Sequence, residues 1–117
     1  RFPVVATHSL SREICPHKRN LTDEQIRRIA DLGGVIGVNF EPSFIGGKGL
    51  FAHIEHILRI GGEDVLAIGT DFDGIESPVY SSADQMQAFF ADMKKAGFSA
   101  RITEKLAYQN ACRLLDF

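Results

Sequence analysis

Three apolar runs, Pro3 to Thr7, Val35 to Phe40 and Val65 to Thr70, punctuate the chain, and the segments between and after them carry apolar residues at helical spacing. That alternation constrains the fold more than any other feature. Strands separated by helices pair in parallel through right-handed crossovers and need helices packed over the sheet. The runs are nearly continuous in apolar character, as strands buried on both faces are. Ile26, Ile29 and Leu32 mark the first helix, which Thr22 and Gln25 open as a capping box and Gly33-Gly34 close. Leu50, Ile54, Ile57 and Leu58 mark a second helix, closed by Gly61-Gly62, and EPSFIGGKG at 41–49 before it reads as a loop. Further helices are predicted from about Ala83 to Lys95 and from about Ala100 to Leu115, the last capped by Ser99. The predicted order is β-α-β-α-β-α-α. This is an α/β chain with parallel strands, either a small open sheet or part of a barrel.

With 117 residues, 44% hydrophobic and 24% charged, the chain can bury one core, and residues 1–117 are read as a single unit. A net charge of -2 gives no electrostatic reason to expect nucleic acid or an anionic membrane surface as partner. No apolar stretch approaches the ~18 residues that a membrane-spanning segment needs, and the opening RFPVV lacks a signal peptide's layout. Cys15 and Cys112 have no CxxC spacing and are expected as free thiols. The chain begins on Arg1 rather than Met, with a strand starting by its third residue, and this start reads as a cut.

In parallel α/β folds the reacting groups sit just beyond the carboxyl ends of the strands. Here the three runs end on His8, Asn39 and Asp71. A neutral imidazole ligates zinc-like cations, and a carboxylate beside a metal-bound water can move its proton, so the pattern suggests a metal hydrolase. A plainer account serves the same residues: a hydrogen-bonded histidine at a strand end and an aspartate capping a turn with Gly74. Counting ligands decides what the chain can hold by itself. Catalytic zinc takes about three protein ligands and a two-metal site takes more. His17 lies in a basic loop with Lys18 and Arg19, while His53 and His56 form HxxH rather than HExxH and read as a solvated helix face. Any metal site would have to be completed elsewhere.

The segments PVVATHS (3–9), HKRNLTDEQI (17–26), GVIGVNF (34–40), HIEHI (53–57) and GTDFDG (69–74) together resemble the C-terminal part of the membrane dipeptidase (renal dipeptidase) family of zinc peptidases. Asn110, Arg113 and Leu114 extend the resemblance into the final helix. The family is a (β/α)8 TIM barrel of the amidohydrolase superfamily, so the resemblance implies the last three βα units of such a barrel. It also implies that a first-strand HxD, a bridging glutamate and another histidine ligand precede this region. On matching positions it makes His8 a ligand of the second zinc in a two-zinc site. Arg19 becomes the arginine that binds the substrate's terminal carboxylate, a task suited to the paired donors of a guanidinium. Asp71 becomes the aspartate that moves a proton from the metal-bound water towards the departing amine, and Asp73 a structural residue of the turn at Gly74. Phe44 falls where some relatives carry a tyrosine near the substrate, and Asn39 is read as bonding backbone at its strand end.

The implied activity is hydrolysis of a dipeptide substrate by zinc-activated water. Two other readings stand beside it: another hydrolase of the amidohydrolase superfamily, and a non-catalytic α/β fragment. Standing alone, the chain is expected to be inactive. It is also expected to self-associate or to pair with the rest of the barrel, because three barrel units leave sheet edges and apolar faces uncovered.

Overall fold

The computed structural model describes residues 4–69, 80 and 82–115. Strands β1 (Val5–Ser9), β2 (Val35–Val38) and β3 (Leu66–Ile68) form one parallel sheet in the order β1-β2-β3. Parallel neighbours cannot be joined by a hairpin, so each pair needs a crossover. Helix α1 (Asp23–Asp31) supplies the first, and α3 (Leu50–Gly61) the second. β2 lies between the other two and is buried along its whole length, which is why its sequence shows no polar alternation.

The ends of α1 follow from its sequence. Thr22 Oγ1 accepts from Gln25 N at 3.2 Å while Thr22 N donates to Gln25 Oε1 at 2.9 Å, completing the expected capping box. The chain leaves the helix through Gly33 at φ 74°, a left-handed conformation that favours glycine. Ile26 and Ile29 form the buried face. They join Ile36, Val38 and Phe40 of the second run, Ile54 and Ile57 of α3, and Phe89, Met93 and Leu106 from later helices in one core. The Phe40 and Phe89 rings meet at 5.2 Å between centroids.

Beyond the sheet, a 3-10 turn (Ala83–Gln85) leads into α4 (Met86–Lys95). Ser99 Oγ then accepts from Ile102 N at 3.2 Å and caps α5 (Ala100–Glu104), as expected. The helical path continues through a π segment (Lys105–Gln109) into α6 (Asn110–Leu115). Asn110 Nδ2 donates to the carbonyls of Glu63 at 2.9 Å and Leu66 at 2.7 Å, fastening this last helix to the start of β3. No helix among the described residues is long and apolar enough to cross a membrane.

Several expectations need correction. β1 runs from Val5 to Ser9 rather than from Pro3 to Thr7, so His8 lies inside the strand. The segment taken as a loop at 41–49 contains a short helix, α2 (Pro42–Ile45), with proline in its first turn, where a missing N–H costs nothing. His53 and His56 are not on a solvated face: they are 0% and 6% exposed. Asp71, Asp73 and Gly74 lie outside the described residues.

Candidate active-site face

The setting of His8 comes from an irregularity in β1. Ala6 and Ser9 pair with Ile36 and Val38, so Thr7 and His8 together oppose the single residue Gly37. Two residues against one make a β-bulge. In a regular strand successive side chains point to opposite faces. Here Thr7 Oγ1 lies 2.8 Å from His8 Nδ1, so the alternation is broken and both side chains reach the same side. The Thr7 carbonyl in turn presses onto the neighbouring backbone. A Cβ on Gly37 would lie 2.2 Å from Thr7 O, and one on Gly69 would lie 1.9 Å from it. Both positions exclude a side chain. Asn39, fully buried, donates from Nδ2 to the His8 carbonyl at 3.3 Å and accepts Glu41 N at Oδ1 at 2.7 Å. It serves the backbone, as read from the sequence, and ties the exit of β1 to that of β2.

The loop that follows β1 carries Arg19. Its neck is closed by Leu21 N donating to Leu10 O and Arg12 N donating to Leu21 O, each at 2.7 Å. Arg12 also spans the loop from within, with Nε on Asn20 O at 3.1 Å and Nη2 on Lys18 O at 2.9 Å. Asn20 is 1% exposed, and its Nδ2 donates to Phe44 O at 2.8 Å and Cys15 O at 3.0 Å. The loop is thereby fixed to α2. Arg19 itself is exposed, with Cζ 5.7 Å from the centre of the Phe44 ring, within range of a cation–π contact. His17 packs on the same ring at 4.5 Å, and its Nδ1 accepts from Arg19 N at 3.0 Å.

His53 reaches this assembly from α3. Ser11 N donates to His53 Nδ1 at 3.1 Å, and His53 Nε2 lies 2.6 Å from Ile45 O. An amide N–H can only donate, so Nδ1 is the acceptor and Nε2 carries the proton given to Ile45. Burial holds the imidazole pKa below its ordinary value; the Ile45 bond works against that shift and nearby His56 adds to it. His56 is engaged by the same logic. Arg59 Nη2 donates to its Nδ1 at 3.0 Å, leaving Nε2 to donate to Asp23 Oδ1 at 2.7 Å. The sequence did hold a sign of His53's burial: it stands at i+3 from Leu50 and i−4 from Ile57, on the apolar stripe of α3. Asn20 and Arg12 carry no comparable sign.

Among the described residues no group of three or more His, Cys, Asp or Glu converges to hold a metal. The donor chemistry fits at one position. His8 offers an imidazole, partly exposed, at the carboxyl end of a parallel strand. It suits one ligand of a shared site rather than a whole one. The structure thus brings Asn39 to His8, and Phe44 and His17 to Arg19.

Fold and site together define a class: a parallel α/β segment in which Asn39 meets His8 near the carboxyl end of β1 and the loop that follows carries Arg19. The family model of the membrane dipeptidases, Peptidase family M19, matches residues 1–116, and the chain belongs to that family. An uncharacterized protein in the pqqA 5′ region of Klebsiella pneumoniae is 37% identical over 124 residues, covering 97% of this chain and 46% of that protein. Dipeptidase ataJ of Aspergillus terreus is 31% identical, over 98% of this chain and 30% of its own length. Among solved structures, a metallopeptidase from Rhodobacter sphaeroides, liganded with a phosphinate mimic of the dipeptide L-Ala-D-Ala, superposes with a TM-score of 0.92 at 32% identity. The match covers 98% of this chain and 36% of that one. The chain therefore spans less than half the length of the relatives it matches.

Proposed function

We propose that these residues form one part of the barrel of a metal-dependent dipeptidase, residues 1–117 acting as a single unit of that domain. The observation that carries this reading is membership of the dipeptidase family across residues 1–116, with His8 at the carboxyl end of β1. His8 would be one ligand of a two-zinc site, the other ligands coming from outside the described residues. Two bound zinc ions would lower the pKa of a water and polarise the scissile carbonyl. The chain's own residues account for the remaining tasks. Arg19 would grip the substrate's free carboxylate through paired guanidinium donors, the Phe44 ring limiting where that side chain can lie. Asp71 would take a proton from the attacking water and return it to the departing amine. A carboxylate held at a fixed distance from the reacting centre selects dipeptides over longer peptides. The edges of the sheet at β1 and β3, and the exposed Val4 and Val5, would be covered by the rest of the barrel or, for the chain alone, by a second copy.

Replacing Arg19 tests the reading. In the intact, metal-loaded enzyme, Arg19→Ala should lower kcat/KM on a free dipeptide by about 10- to 100-fold, the loss expected for a charged hydrogen-bond partner. It should leave the poor turnover of the C-terminal amide of that dipeptide unchanged. Equal losses on both substrates, or none on either, would count against the clamp.

A further inference from the structure

We infer that His53 is a positioning residue for substrate binding, its two ring nitrogens holding the Arg19 loop and the Phe44 helix at one fixed spacing. The inference rests on the reading of Arg19 as the carboxylate clamp.

His53 is fully buried and hydrogen-bonds to neither Arg19 nor Phe44. It bonds instead to the main chain of the two segments that carry them. Ser11 stands at the neck of the loop, where Leu10, Arg12 and Leu21 close it, so holding the Ser11 amide holds the base from which Arg19 projects. Ile45 is the last residue of α2, one residue after Phe44. The imidazole is rigid, so the distance between its two nitrogens sets the distance between these segments. Asn20 then links them a second time, from the residue after Arg19 to the Phe44 carbonyl. A shift of either segment is passed to the guanidinium by its contact with the Phe44 ring. A histidine that merely filled the core would need neither bond to end on these two segments. Because Nδ1 must accept and Nε2 must donate, only the neutral Nε2–H form does this work.

The test uses the intact, metal-loaded enzyme and three substitutions. His53→Asn keeps an acceptor near the place of Nδ1, His53→Gln keeps a donor near the place of Nε2, and His53→Phe removes both while preserving bulk. In His53→Phe the KM for a free dipeptide should rise about tenfold with kcat within about twofold of wild type, since small misplacements of a binding group cost this much. Asn and Gln variants should fall between, and turnover of the dipeptide amide should not change. In an Arg19→Ala background, His53→Phe should leave KM where it is, because the two act on one contact. If His53→Asn and His53→Gln lower the melting temperature but keep the wild-type KM while Arg19→Ala raises it, the positioning role is wrong and the clamp stands. If Arg19→Ala keeps the wild-type preference for free carboxylates, both are overturned. Should His53→Phe fail to fold, the Asn and Gln variants decide alone.

Discussion

The direction of a single hydrogen bond, from the Ser11 amide to His53 Nδ1, makes the protonation of a buried ring part of the fold. Protonating Nδ1 would turn two donors towards each other in a fully buried site. Burial accordingly depresses the folded pKa below the ordinary 6.5, with the nearby His56 adding to the effect and the Ile45 bond opposing it. The sign follows: above about pH 6.5 the ring is neutral in both states and the stabilisation is complete. As pH falls from there towards the depressed folded value, the unfolded chain binds a proton that the folded one refuses, and stability is lost. On lowering the pH from about 7.5 to about 5.5, the melting temperature of the wild type should therefore fall more than that of His53→Gln, which has no imidazole to charge. An equal fall in both would assign the acid sensitivity to other groups. At this scale the sequence singled out His8 and Arg19 as candidates, one from the end of an apolar run and the other from the HKRN motif around it. It hid what secures them, because the Ser11–His53 bond spans 42 residues and exists only when α3 is packed on the sheet.

The elements were more legible than their junctions. Capping residues, paired glycines and apolar spacing placed α1, α3, the three strands and the start of α5 to within a few residues, since each signal is local, whereas the single last helix expected to Leu115 is divided by a π segment. The bulge in β1 was not legible, because register is a property of two strands together and no single run encodes it. α2 was missed for a related reason: four residues carry no helical period, and Pro42 reads as a breaker as readily as a first turn. The bulge makes a prediction that separates two glycines. Gly37→Ala would set a methyl 2.2 Å from the Thr7 carbonyl, and since that neighbour is backbone, relief requires the strands to move. Urea denaturation of the enzyme should show a loss of about 1–3 kcal/mol, the usual cost of overpacking. Gly47→Ala meets nothing within 4 Å and should stay within about 0.5 kcal/mol of wild type. Similar losses at both positions would mean that the contact with the bulged carbonyl is not what makes Gly37 a glycine.

For the whole molecule, parallel strands with helical crossovers were legible from the alternation of runs alone, and family membership now accounts for that architecture. Among the described residues the three-stranded parallel sheet pairs neither outer strand at its far edge, and exposed Val5 on β1 is the kind of surface a neighbouring strand covers. The same incompleteness appears in the candidate chemistry. Among the described residues no group of three or more His, Cys, Asp or Glu converges to hold a metal, whereas the loop that carries Arg19 is held by Arg12 and Asn20, and the Arg19 guanidinium lies over the Phe44 ring. Binding of the substrate's carboxylate and positioning of one ligand are therefore proposed for this chain, and the remaining metal ligands for the rest of the barrel. The measurement that bears most directly on that division is release of free amino acids from a dipeptide by the intact enzyme, followed before chelation, after chelation, and after zinc is restored. For a metal-dependent dipeptidase assembled in this way, hydrolysis should disappear with the metal and return with zinc. Undiminished hydrolysis after the metal is removed, or none with zinc fully bound, would contradict it.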